Sequence, residues 1–123
     1  MTQELMLKTL QNLGFKRIEA EVYLFLATMG PQKAKNIAKA LHMHKKQLYR
    51  TLKNLQSRGI VNVSHEVPAL FSAVIIEEIV DSMINAKKEQ ALTLQETKEV
   101  LLSSWRVITK KENNSSYPID SDS

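Results

Sequence analysis

The sequence predicts a mainly α fold that carries one small β-hairpin and ends in a very long helix. Three observations lead there. Up to Gly59, apolar residues recur at helical spacing in four segments, broken at Gly14, Gly30-Pro31, His42-Met43-His44 and Gly59. After Gly59 the period falls from 3.6 to 2 on either side of Pro68. From Ile76 to about Lys111 the helical pattern returns without one Gly or Pro. Only 3 Gly and 3 Pro in 123 residues also argue against a loop-rich all-β fold.

The first helix is expected over Met1–Leu13, with Leu5, Leu7, Leu10 and Leu13 apolar and Thr2 or Gln3 near its start. Gly14 is a plausible stop, and Phe15 returns to the core. Ile18–Met29 is a second helix, apolar around much of its circumference and so central. Lys33–Leu41 is a short third helix: Ala34, Ile37, Ala38 and Leu41 share one face, and Lys33, Lys35 and Lys39 fall away from it. A break at His42-Met43-His44 leads to a fourth helix, Lys45–Arg58, with Leu48, Leu52 and Leu55 at i, i+4 and i+7. Two short extended segments around Pro68 then form a hairpin ending near Ile75.

A short helix, a tight turn and a second helix with its own apolar face make a helix-turn-helix, and the hairpin behind it makes the unit winged. The predicted organisation is a winged helix-turn-helix over residues 1–75, a long helix over 76–111 and a disordered polar tail over 112–123. In the long helix Val80, Ile84, Lys87, Ala91, Leu94, Lys98, Leu101, Trp105 and Ile108 are spaced alternately by four and three. That is a coiled-coil seam. A stripe of this length needs a partner helix, so Val80, Ile84, Ala91, Leu94, Leu101, Trp105 and Ile108 are the expected homodimer contacts. Lys87 and Lys98 would select register or lie at the edge of an antiparallel or multi-helix packing.

The net charge is only +4, but its distribution is uneven. The 44 residues from Val22 to His65 contain no acid and eight Lys or Arg, while the rest of the chain nets −4. That pattern is an electrostatic footprint for a polyanion. With the three leucines turned inward, the outward side of the fourth helix carries Lys45, Lys46, Gln47, Tyr49, Arg50 and Lys53. Arg and Gln form paired hydrogen bonds with guanine and adenine edges, whereas Lys is a flexible point charge suited to phosphate. Gln47 and Arg50 are therefore expected at bases in a major groove. Lys45, Lys46 and Lys53 are expected at phosphates, and Lys33, Lys35, His44 and His65 join them on the DNA side. Tyr49 either bonds a phosphate or packs at the helix edge.

Leu13-Gly14-Phe15, Glu19-Ala20, Val22-Tyr23-Leu24, Gly30-Pro31, Ala34, Ile37-Ala38, Tyr49, Leu52, Leu55 and Gly59-Ile60-Val61 resemble the N-terminal winged-helix domain of TrmB-type archaeal transcriptional regulators. The resemblance runs ungapped from Leu13 to about Val61 and loosely through Phe71-Ser72-Ala73-Val74. It implies a double-stranded-DNA-binding regulator of transcription that dimerises through the helix after the wing. Small winged-helix proteins of the Lrs14-like and MarR-like groups share the pattern. Four departures stand out. The large sugar-binding domain of many members has no counterpart in these residues, so sugar sensing is not expected. His42 stands where the family places Gly, and Lys16 and Lys33 stand where it often places a Ser or Thr cap. The wing tip, His65-Glu66-Val67-Pro68-Ala69, lacks the family's basic residues.

Other chemistry is thinly represented. There is no cysteine, so disulfides and thiolate chemistry are excluded. His42, His44 and His65 do not form a recognisable metal motif, and no phosphate-binding glycine loop or nucleophile elbow occurs. Neither an enzyme nor a cofactor or metal site is expected. No apolar run reaches membrane-spanning length and no leader pattern opens the chain, which leads to the expectation of a cytoplasmic, nucleoid-associated protein. The alternatives are a winged-helix protein-interaction module, a non-specific chromatin-associated protein, and a regulator with a small-molecule effector.

Overall fold

The structure is a computed structural model that describes the backbone of residues 2–115 and side chains as far as Lys110. Its order is α1 (Gln3–Asn12), α2 (Arg17–Met29), β1 (Gln32–Lys33), α3 (Ala34–Leu41), α4 (Lys45–Ser57), β2 (Val61–Val63), β3 (Leu70–Ala73) and α5 (Ile76–Ser115). The chain divides into two units between Val80 and Asp81, so the first turn of α5 belongs to the N-terminal unit. Of the tail expected over 112–123, residues 112–115 continue α5 instead, and residues 116–123 lie outside the described residues.

The N-terminal unit is the mainly α winged helix-turn-helix that the residue pattern predicts. Thr2 caps α1, its Oγ1 accepting from Leu5 N–H at 3.2 Å. Arg17, in the first turn of α2, reaches back to grip both carboxylate oxygens of Glu4 at 2.8 and 3.0 Å. This fork holds α1 against α2 at the surface. Leu7 and Leu10 of α1 meet Phe15, Val22, Tyr23 and Leu26 in the core, where Phe15 and Tyr23 pack edge to face at 5.8 Å between ring centres.

The start of α2 is capped without the Ser or Thr side chain that commonly opens a helix. An ammonium cannot accept a hydrogen bond, so the Lys16 side chain caps nothing. Instead the Glu19 carboxylate, three residues on, accepts from the Lys16 backbone N–H at 2.9 Å, which is the return half of a capping box. Glu19 is only 4% exposed. Its second partner is Arg58, beyond the end of α4, at 2.9 Å; Arg58 also bonds Asn54 Oδ1 and stacks its guanidinium over the Phe15 ring. Burial alone would raise the Glu19 pKa, but the Lys16 N–H and the Arg58 guanidinium outweigh it and hold the carboxyl below its ordinary range. One of the eight cations of the acid-free stretch is thus engaged inside the domain.

The sheet has three strands where the sequence suggests a two-stranded hairpin. β3 is central, antiparallel to both neighbours, with Gln32 opposite Phe71 and Val63 also opposite Phe71. β1 escapes sequence reading because two residues carry no measurable alternation. Gly59 turns the chain from α4 into β2 with φ +73°, and Ile60 N–H closes the helix end on Leu55 O at 2.9 Å. Ser64 fastens the wing: its Oγ accepts from Leu70 N–H at 2.9 Å and Glu66 N–H at 3.3 Å.

Removing Arg58 leaves a buried carboxylate with one partner fewer, so Arg58→Met should cost about 2 kcal/mol in urea unfolding. Because the folded Glu19 pKa lies below the unfolded one, its contribution is present above the ordinary carboxylate range and is lost as pH falls through that range. Wild type should therefore lose more stability between about pH 5 and 3 than Glu19→Gln does; equal losses would contradict the pairing.

Candidate nucleic-acid interface

The interface is built on how α4 is held. Leu48, Leu52 and Leu55 are 0%, 1% and 0% exposed, and Thr51 is buried beside them with its hydroxyl donating to Gln47 O at 2.9 Å. These four side chains fix the roll of the helix about its axis. The opposite side is left to solvent: Lys45, Lys46, Gln47, Tyr49, Arg50 and Lys53 are all exposed. Lys46, Arg50 and Lys53 follow one another at i, i+4 and i+7, and so form one stripe.

The turn that leads into α4 is set by His42 and Met43. His42 takes the left-handed conformation, φ 54° and ψ 48°, which few residues other than Gly adopt. Met43 N–H then reaches Ala38 O at 3.0 Å, and the Met43 side chain is buried as the plug of the turn. His44 follows in extended conformation at the N-cap of α4, its carbonyl accepting from Leu48 N–H at 2.9 Å. His44, Lys45, Lys46, Gln47 and Arg50 border one shallow, open concavity of about 550 Å³. The free N–H groups of the helix start and four of these side chains could all serve an anion there.

The remaining candidates surround this centre. Lys35 is exposed on α3, and Lys33 is exposed where β1 passes into α3. His65 is exposed in the wing loop, next to Glu66. None of the candidate lysines, nor Arg50, is engaged in an ion pair among the described residues. Tyr49, for which packing at the helix edge and contact with phosphate stood as alternatives, is 52% exposed and is not core. It stands over a groove of about 550 Å³ between α4 and the wing, floored by Leu52, Val63 and Phe71 and edged by Lys53, Gln56 and Ser57. Gln56 and Ser57 are absent from the sequence-based set, although Gln56 lies seven residues from Tyr49 on the same face. No three His, Asp or Glu among the described residues are grouped to hold a metal ion.

In the second unit α5 continues as one helix. Its seam residues Ile84, Leu94, Leu101, Trp105 and Ile108 are exposed by 47–70%, and Ala91 is exposed with them, whereas Val80 is half-buried. Leu92, Val100, Leu102 and Val107 are exposed as well and lie outside the predicted seam. Val100 and Val107, seven apart, make a second apolar stripe. No helix among the described residues is long and apolar enough to cross a membrane.

Residues 10–77 match the family described as "Sugar-specific transcriptional regulator TrmB". The HTH-type sugar sensing transcriptional regulator TrmBL1 of Pyrococcus furiosus is 30% identical over 89 residues, covering 69% of this chain. The chain spans only about a quarter of that relative's length, 26%. Among solved structures, TrmBL2, described as an archaeal chromatin protein with a novel mode of DNA binding, superposes with a TM-score of 0.82 at 16% identity. That superposition covers 97% of this chain and 46% of TrmBL2. The transcriptional regulator Tm0710 from Thermotoga maritima gives a TM-score of 0.54 at 15% identity, covering 93% of this chain and 89% of its own. At those identities the likeness is one of fold.

A left-handed His carries a conformational cost that Gly does not. His42→Gly should therefore stabilise the N-terminal unit by roughly 0.5–1 kcal/mol in thermal unfolding, once the larger entropy of the unfolded Gly chain is subtracted. A loss of stability would show that the His42 side chain itself supports the turn.

Proposed function

The chain belongs to the TrmB family, and from that membership we propose a homodimeric regulator of transcription that places α4 in the major groove of double-stranded DNA. Its N-terminal unit has the winged-helix DNA-binding fold of transcriptional regulators. The observation that carries the proposal is the outward stripe of unpaired cations on a helix whose roll is fixed by buried leucines. Gln47 and Arg50 read base edges; Lys45, Lys46 and Lys53 hold phosphates; Lys33, Lys35, His44 and Tyr49 extend the backbone contacts. The wing tip, His65-Glu66-Val67-Pro68-Ala69, carries no Lys or Arg and adds little to the cationic face.

The balance of side chains favours a large sequence-independent component. Gln47 and Arg50 have the planar, paired geometry that best distinguishes bases, whereas the flexible lysine ammoniums are better suited to phosphate. Sequence-dependent regulation is the leading reading, with non-specific chromatin association as its alternative. The exposed stripe on α5 supports the second half of the proposal. Two copies bury Ile84, Ala91, Leu94, Leu101, Trp105 and Ile108 against each other, with Val80 at the start of the seam. A cytoplasmic, nucleoid-associated location follows from this role.

Binding to a duplex should weaken steeply with salt as counterions are released. Arg50→Ala should cost about 1–3 kcal/mol and relax base preference at one position, whereas Lys46→Ala should lower affinity uniformly and reduce the salt slope by about 1 per protomer. Fluorescence anisotropy at two salt concentrations checks both, and affinity indifferent to salt and to Arg50 would overturn the proposal. In sedimentation equilibrium wild type should show twice the 14.0 kDa chain mass. Leu101→Lys with Trp105→Lys should shift it toward monomer; an unchanged mass would place the dimer contact elsewhere.

A further inference from the structure

Away from the recognition helix, a second concavity of about 400 Å³ opens between α1, α2 and the connection from β3 to α5. Met6, Leu24, Ala27, Ile75 and Ile76 form half of its lining, and Ile75 and Ile76 remain exposed at its rim. Volume and apolar character suit a small organic molecule. Its polar side chains are just two, Tyr23 and Glu77, and they share one property.

Both accept hydrogen bonds. The Tyr23 hydroxyl donates its proton to Val74 O at 2.6 Å, which leaves only its lone pairs for a further partner. Burial, and then the Glu77 carboxylate, push the phenol above its ordinary range, so the proton stays in place through neutral pH. Glu77 is exposed in the first turn of α5 and brings a negative charge with no basic side chain in the lining. No Lys, Arg, His, Asn, Gln, Ser or Thr lines the cavity. The positive end of α5 is already faced by its own Glu77 and Glu78.

We infer that this cavity binds a small amphipathic amine, an apolar body ending in an ammonium group that meets Tyr23 Oη and the Glu77 carboxylate. An ammonium offers three donors and no acceptor, which is the complement of this lining. A carboxylate or phosphate head would find no cationic side chain and would face Glu77. The cavity shares no residue with α4, so it stands or falls apart from the DNA-binding proposal.

The test is a titration of the isotope-labelled full chain with octylamine and, separately, octanoate, which share a tail and differ in head charge. Amide shifts should saturate with octylamine and concentrate at Met6, Ala27, Ile75 and Glu77. Octanoate should bind about tenfold weaker. Glu77→Gln should narrow that preference about threefold, and Ala27→Trp, which fills the cavity from an exposed helix position, should abolish binding of both. Equal affinity for the two probes, shifts spread along α5, or no saturable shift would each overturn the inference. So would protection of Met6 and Ile75 that rises with protein concentration while octylamine is shut out, because a second copy would then be the occupant.

Discussion

The roll of α4 about its own axis is the constraint on which the rest of the structure depends. Leu48, Leu52 and Leu55 have almost no exposure, and each projects into a core already furnished by α2 and α3. A fully buried leucine is worth about 2 kcal/mol relative to an exposed one. Turning the helix by half a turn would expose all three and bury Lys46 and Arg50 in their place. The hydrophobic term therefore does more than stabilise the domain: it selects which side chains face solvent. The cations need no contact of their own to be well placed, because the leucines place them.

Within that frame, two ionic arrangements have opposite purposes. The Glu19–Arg58 pair ties the start of α2 to the end of α4 and withdraws one cation from the surface. Removing a partner from such a pair costs more than the pair gains over an apolar one, so its role is to fix geometry more than to add net stability. The stripe from Lys45 to Lys53 is the reverse case. Its charges repel one another along a helix face with no acid nearby, a cost of a few tenths of a kcal/mol per neighbouring pair that a polyanion would relieve.

Much of this was legible in the sequence because each feature was periodic. Leu48, Leu52 and Leu55 announce a buried stripe, and Gly30-Pro31 and Gly59 announce the ends of α2 and α4. The acid-free stretch announces the charge asymmetry. What escaped lacked a period. β1 is two residues long and exists only because β3 offers it a partner. Arg58 reads as one more surface cation, since nothing local says that Glu19, thirty-nine positions earlier, is buried beside it. The cap on α2 was sought at Lys16 and is supplied by Glu19. The groove under Tyr49 needs α4 and the wing together, and a helical repeat cannot report it. The extra apolar residues of α5, Val100 and Val107 among them, were visible in the sequence but fell outside the single stripe that best fitted a heptad.

The most direct test of the central claim is to map which backbone amides of the full chain respond to a short double-stranded DNA. The account predicts that the largest shifts run from His44 to Lys53, appear at Lys33 and Lys35 at lower amplitude, and leave Leu48, Leu52 and Leu55 side-chain resonances in their buried environment. Shifts centred on α1 or α5, with the outward face of α4 silent, would contradict it.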